Sequence, residues 1–468
     1  MREYELVIDE ALKKGLSPER NVPVNSEYLW QALGFRIGRG GIEGYEVSTD
    51  DPFSGVVDML YSWPFPQFIQ GERYNFLIIR DSVVNYEDKI YLVEDDYTVT
   101  HIFDCDQLTF GIGDLMEVAD FGEFAFMTNG VIMVYWSVPL ADWHEVVASP
   151  TIPMMRTVCN FKGQMVGGGV SSVWHDCDET FYCWSKIGSV DFTPDQSNTS
   201  GYRRDPFGGE VLHVRRLGNS VIGYSSKGVV RMDHVSEPAP TFAFTELDDV
   251  GLINQGAMNG DLRRQVYVGT DYVVREVTSE GVKELGYYQY VSNLDDTLGI
   301  IVNYDRTKKD FYITDGETTY LLSPYGMTQI PQHPSAVWTI SSYDDEVVML
   351  PNTLDDPYEP MIASEILDMG YRGLKTVFSV ETDTLLMFNP KLAVGWLNSI
   401  DVWGWGSYVP LNNEGIAVNI TSGSSFCIML KLDYVAPMIN LTYIKVRYKM
   451  TDLRGIRGVY APPLRGQR

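Results

Sequence analysis

The chain of 468 residues carries 36 basic against 63 acidic side chains, a formal charge of −27, and 44% of its residues are apolar, 13% aromatic. That balance disfavours general attraction to nucleic acid or to an anionic membrane, although DNA could still slide past such a surface, and the aromatic share excludes a disordered chain. The length suits two or three domains or one large toroidal domain.

The opening Met-Arg-Glu-Tyr-Glu-Leu-Val-Ile-Asp-Glu is charged from its second residue and lacks the apolar core of a secretory signal. The longest apolar stretch, near Val131 to Leu140, is far short of a membrane span, so no membrane insertion is expected. Five cysteines (Cys105, Cys159, Cys177, Cys183 and Cys427) are odd in number and scattered, which fits a soluble protein made in a reducing compartment without structural disulfides.

Residues 2–14 read as a helix, with Leu6, Ala11 and Leu12 on one side and Gly15 as its stop. Ser17 to Tyr45 mixes turn residues with the cluster Gly38-Arg-Gly-Gly-Ile-Glu-Gly44. The cluster misses the dinucleotide fingerprint by one residue and is not framed by a strand and a helix, so it predicts flexible backbone rather than a phosphate site. Residues 1–50 are therefore expected to form an N-terminal helix and an extended arm.

From Pro64 to Pro331 short apolar runs alternate with Gly, Asn and Asp. Phe76-Leu-Ile-Ile, Lys89-Ile-Tyr-Leu-Val, Glu123-Phe-Ala-Phe-Met, Gly130 to Trp136, Val211 to Val214, Val229 to Met232, Gln265-Val-Tyr-Val, Gly299-Ile-Ile-Val and Asp310-Phe-Tyr-Ile-Thr all predict strands. Hairpins begin near Phe76, Phe121, Asn160, Arg216, Asn259 and Asn303, a spacing of about 40 to 55 residues that matches propeller blades. The pattern is clearest from Met154 to Met232, where Lys162-Gly163, Gly218-Asn219 and Lys227-Gly228 mark hairpin turns whose glycines supply positive φ. A meander of this kind cannot bury both faces alone and must stack on copies of itself. The expected fold class is all-β: a β-propeller of about six blades over 51–360, an N-terminal arm, and a C-terminal β-sandwich-like domain over 361–468.

Acid pairs punctuate the same region, at Glu94-Asp95-Asp96, Asp248-Asp249, Asp295-Asp296, Asp344-Asp345-Glu346 and Asp355-Asp356. Calcium or catalytic carboxylates are one reading; solvated turns, where Asp bonds its own backbone, are the simpler one, because no spaced calcium-loop pattern occurs. Past Met361, strands are expected around Leu385 to Phe388, Ser399 to Trp403, Gly415 to Ile420, Phe426 to Leu432 and Leu441 to Tyr448. From Lys445 onward seven basic residues face one aspartate, a net +6 against −33 for everything before it.

Catalytic constellations are scarce. No nucleophile elbow, phosphate loop or zincin motif occurs, and His101, His144, His175, His213, His234 and His333 are dispersed. His175, Cys177 and Cys183 have metal-binding residue types at non-standard spacing, which reads as a loop with two free thiols rather than a zinc site. Trp403-Gly-Trp405 could stack sugars or bases, though two tryptophans on one sheet face ordinarily pack. No enzyme activity, catalytic residue, metal or cofactor is expected.

The order Cys159-Asn-Phe-Lys-Gly-Gln, Phe181-Tyr-Cys-Trp-Ser-Lys-Ile-Gly188, Asp191-Phe-Thr-Pro194, Gly208-Gly-Glu-Val and Leu217-Gly-Asn-Ser-Val-Ile-Gly-Tyr-Ser-Ser-Lys-Gly-Val resembles the tail hub or nozzle proteins of short-tailed bacteriophages. Met369-Gly-Tyr-Arg-Gly-Leu-Lys375 resembles the segment that opens their C-terminal domain. The resemblance covers roughly residues 150–240 and 365–380; elsewhere it is one of length and texture. It implies a structural virion protein of the phage tail, synthesised in the bacterial host cytoplasm. It also implies a homo-oligomeric, hexameric ring that prolongs the DNA channel below the portal and adaptor, contacts other tail proteins, and retains then conducts the genome at ejection. DNA would pass an acidic lumen without specific binding. The candidate assembly interface is basic: Arg372, Lys375, Arg447, Lys449, Arg454, Arg457 and Arg465. A glycan-binding or glycan-processing propeller and an intracellular protein-interaction propeller are the alternatives.

Overall fold

The structure is a computed structural model that describes residues 3–45, 59–69, 72–81, 88–93, 99–105, 115–121, 124–137, 142–170, 174–194, 199–235, 242–295, 299–334, 336–339, 347–350, 358–371, 373–397, 403–434 and 438–451. The chain divides into two units. A meander unit comprises Ser48–Glu317 and His333–Thr353, and a terminal unit comprises Met1–Val47, Thr318–Gln332 and Leu354–Arg468.

The meander unit is a series of antiparallel sheets, each four strands in chain order. The first is Met59–Ile69, Glu72–Asp81, Asp88–Val93 and Val99–Cys105; the second Glu117–Asp120, Phe124–Thr128, Met133–Ser137 and Asp142–Glu145. The third is Met155–Phe161, Gln164–Val170, Phe181–Trp184 and Gly201–Arg204; the fourth Val211–Leu217, Ser220–Ser225, Val229–His234 and Phe242–Asp248. The fifth is Met258–Gly260, Gln265–Val268, Val274–Thr278 and Gly281–Gly286. Two hairpins follow, Ile301–Asp305 with Asp310–Thr314 and Ala336–Thr339 with Val347–Leu350.

Strand alternation explains why these sheets stack. In the second meander Ala125, Met127, Val134 and Trp136 join Phe76 and Ile90 of the first in one core. The intervening Phe126 and Met133 join Met155, Val158 and Met165 of the third in another. The third repeats the device: Cys183 faces back, while Tyr182 and Trp184 face Val221, Val230 and Phe242 of the fourth. A period-2 pattern thus feeds two cores at once, so the second and third sheets have both faces covered.

Turn chemistry sets the registers. Lys162 and Gly163 both have positive φ (53° and 81°), the type I′ geometry that matches strand twist. At Gly218-Asn219 only Gly218 is left-handed (57°), as in a type II′ turn. Gly228 departs from expectation, since its φ is not positive. It is small because a Cβ would stand 2.3 Å from the Phe207 ring.

Polar side chains tie successive meanders together from the second onward. Asn160 donates to the Asp120 carbonyl at 2.6 Å, and the Val214 amide donates to Thr157 Oγ1 at 2.9 Å. Arg215 reaches the Gly260 carbonyl at 2.9 Å, Gln265 the Arg216 carbonyl at 2.9 Å, and Asn254 pairs with both backbone groups of Ile300.

In the terminal unit one sheet runs Glu3–Ile8, Ile444–Met450, Lys375–Thr382, with Ile416–Ala417 and Thr421–Gly423 along its far edge. A second runs Thr319–Leu322, Met327–Ile330, Leu29–Leu33, Met361–Ser364, Ser425–Lys431, Lys391–Leu397, Trp403–Trp405, with Leu29–Leu33 parallel to Met327–Ile330 and the other pairs antiparallel. Phe35–Ile37, Ile42–Gly44 and Asn440–Leu441 form a third.

Three local expectations are corrected here. Residues 3–8 form a strand, not the start of a helix, because antiparallel pairing with Ile444–Met450 outweighs local propensity; only Glu10–Lys14 is helical, ended by Gly15 at φ 69°. Within residues 1–50, expected as an N-terminal helix and extended arm, the described residues supply strands to all three sheets of the terminal unit, and the glycine cluster is the turn of the Phe35–Ile37/Ile42–Gly44 hairpin, closed by Gly38 N–H to the Gly41 carbonyl at 2.8 Å. Leu386–Phe388 is a single 3₁₀ turn rather than a strand.

Candidate assembly surface

Lys445, Arg447 and Lys449 alternate along Ile444–Met450 and so share one face of that strand. The first strand sets Glu3 opposite Lys449 and Glu5 opposite Arg447, while Lys375–Thr382 sets Glu381 opposite Lys445 on the other side. Lys449 Nζ lies 2.9 Å from Glu3, Arg447 spans Glu5 at 3.1 Å and Glu381 at 2.7 Å, and Lys445 lies 3.2 Å from Glu381. Burial works to raise the Glu381 carboxyl, but hydrogen bonds from Lys445 and Tyr443 and the charges of Lys445 and Arg447 outweigh it and hold it below its ordinary value. The three bases are thus engaged by carboxylates of their own chain.

Lys375, placed in the same basic interface by sequence, is fully buried. Its Nζ donates to the carbonyls of Tyr371, Gly373 (2.9 Å) and Ser424 (2.6 Å). Burial pushes this ammonium down to about 8, against a small upward pull from Asp368. It presents no charge to a partner, and its work is to clamp Tyr371 and Gly373 to Ser424. Arg372, Arg454, Arg457 and Arg465 lie outside the described residues.

The segment that precedes Lys375 is fastened to the N-terminal residues. Asn25 accepts from the backbone amides of Asp368 (2.9 Å) and Met369 (3.1 Å) through its side-chain oxygen, and its backbone N–H donates to the Ile366 carbonyl at 2.8 Å. One asparagine thereby fastens Ile366, Asp368 and Met369, where the stretch that sequence singled out begins.

In the meander unit His213 Nδ1 lies 2.5 Å from Glu117, joining the leading strands of the second and fourth meanders. Gln255, which precedes the fifth, donates to the Leu115 carbonyl at 2.9 Å and accepts from its amide at 3.0 Å. Arg215, half-buried, is pulled down by burial while the Glu117 charge works the other way. Sequence gave no sign of this cluster, whose members stand far apart along the chain. Asp248, expected in a solvated turn, instead accepts from Tyr267 Oη at 2.9 Å and pairs with Arg275 at 3.2 Å.

Cys177 and Cys183 share an apolar core, and burial pushes the Cys177 thiol up to about 11 and raises Cys183 further. His175 turns away to stack on Tyr202, with 14° between the rings. Among the described residues no group of three His, Cys, Asp or Glu side chains could hold a metal ion, and no helix is long and apolar enough to cross a membrane. Trp403 and Trp405 sit on the last strand of their sheet and are exposed. No protein-family model and no curated protein matches the chain.

Proposed function

We propose that the chain is a structural subunit of a short-tailed bacteriophage tail: a hub or nozzle that assembles as a ring, prolongs the DNA channel below the portal and adaptor, and holds then conducts the genome. The observation that carries this reading is the order in which leading strands neighbour one another in the meander unit. Met59–Ile69 lies beside Glu117–Asp120, which lies beside Met155–Phe161, itself beside Val211–Leu217; Met258–Gly260 lies beside Ile301–Asp305, and Ala336–Thr339 lies beside both Ile301–Asp305 and Met59–Ile69. The Arg215 and Gln265 hydrogen bonds join the fourth and fifth. A sequence of neighbours that returns to its first member supports a closed propeller, the architecture that the resemblance to nozzle proteins implies.

Charge supports the rest. At −27 per chain, a lumen built from many copies repels phosphate and lets duplex slide. With Lys375, Arg447 and Lys449 engaged within the chain, the basic contribution to a neighbouring subunit is assigned to Arg454, Arg457 and Arg465.

Negative-stain micrographs of the purified chain, together with duplex gel shifts at moderate salt, test the proposal. Rings with a central hole and no retained DNA are expected. A monodisperse monomer that binds or cleaves oligosaccharide through its meander unit would replace this reading with a glycan-processing one.

A further inference from the structure

Trp403–Trp405 pairs along one edge with Lys391–Leu397 and ends the sheet on its other side. Tryptophans two apart on a strand share a face. Packing is their ordinary fate, yet Trp403 is 37% and Trp405 46% exposed. Their rings lie 6.3 Å apart between centroids with 23° between planes.

Glycines set this posture. Opposite Trp405 in the register stands Gly395, and a Cβ there would fall 2.7–2.9 Å from three atoms of the indole's six-membered ring. The ring therefore lies across the place a side chain would fill. On the reverse face the partners exchange roles, since a Cβ on Gly404 would stand 2.6 Å from the Trp396 ring. Aromatic-over-glycine packing on both faces locks the two strands together. It also holds Trp405 in place beforehand, so little side-chain ordering is left to oppose binding.

We propose that Trp403 and Trp405 form a stacking platform for a neutral oligosaccharide, with successive pyranose rings lying on the two indoles. The axial C–H groups of a pyranose carry partial positive charge and match the negative face of an aromatic ring. The outer edge of the Trp403–Trp405 strand has no strand partner among the described residues, so its peptide groups can meet sugar hydroxyls. Nucleobases, the other guests of exposed aromatics, come with phosphates that a chain of charge −27 disfavours. The site belongs to the terminal unit and stands whether or not the chain forms a ring.

Calorimetric titration of the full chain with cellohexaose, chitohexaose and maltohexaose tests it, beside the double variant Trp403→Ala/Trp405→Ala. At least one hexasaccharide is expected to bind saturably and without salt dependence. The double variant, with unchanged circular dichroism and native mass, is expected to bind it roughly tenfold more weakly or not at all. Should that variant fail to fold, Trp405→Phe, which keeps an apolar ring over Gly395, is expected to give a partial loss. No binding of any of the three sugars, or equal binding by wild type and variants, overturns the proposal. So does a double variant that changes native mass while the sugars remain inert, which would make the face a contact between copies.

Discussion

Both units are built largely from antiparallel strands, yet one ion-pair cluster in each holds its charges in a different way. In the meander unit Arg275 is buried, 6% exposed, and grips Asp271 through two parallel hydrogen bonds of 2.7 Å while its Nε faces Asp248 at 3.2 Å. In the terminal unit Arg447 and Lys449 meet Glu5 and Glu3 along a strand pair whose carboxylates are more than half exposed. Water weakens the second arrangement more than the first, where Arg275 and Asp248 are largely covered and only Asp271 reaches solvent. A charge is thus costly to orphan in the meander unit and cheap to delete at the terminal seam, where it marks register more than it adds stability.

The largest expected effect breaks the buried side of that contrast. Arg275→Met leaves the covered Asp248 and the partly exposed Asp271 without their partner and is expected to lower stability by roughly 2–4 kcal/mol, read as a fall in the urea midpoint of the meander unit. A loss below 1 kcal/mol would place Arg275 with the surface pairs.

Lys375→Met is intermediate. It strips a donor from three carbonyls inside the terminal unit, at a cost of roughly 1–3 kcal/mol near neutral pH. The pH dependence sharpens the point. The folded ammonium releases its proton near 8, whereas an unfolded lysine keeps it to about 10.4. Between those values the unfolded chain binds the extra proton, so this group makes wild-type stability rise with pH across that window. The gap between wild type and Lys375→Met in urea melts is therefore expected to widen from pH 8 to 10. A constant gap would mean that Lys375 is not buried as a cation.

Smallest is the seam itself. Arg447→Ala is expected to cost about 0.2–1 kcal/mol at low salt, and the difference should shrink in molar salt. A salt-independent loss above 2 kcal/mol would show that this pair behaves like the buried one.

How far sequence reached follows from the range of the interactions. The meanders were legible because their turns are local: Lys162-Gly163 carries its hairpin geometry in two residues, and runs such as Gln265–Val268 and Asp310–Thr314 are closed by Gly269 and by Asp315-Gly316. Glu3–Ile8 was not legible, because its partner strand lies at the opposite end of the sequence and a short run of Leu6, Val7 and Ile8 beside acids fits helix and strand equally. The basic cluster was legible as composition only. Which bases are engaged depends on cross-strand register for Arg447 and Lys449, and on three carbonyls brought together by folding for Lys375. The Glu117–His213 contact and the partners of Asp248 join distant strands in the same way. Trp403 and Trp405 were visible as a pair, but their exposure depends on Gly395, whose place opposite Trp405 is a matter of register.

Native mass measurement of the purified full chain, at micromolar concentration and ordinary salt, tests the ring most directly. A single closed species of about six subunits is expected, as the resemblance to nozzle rings implies, with removal of residues 451–468 shifting it toward monomer. A full-length chain that stays monomeric across that range would contradict the assignment as a self-assembling conduit.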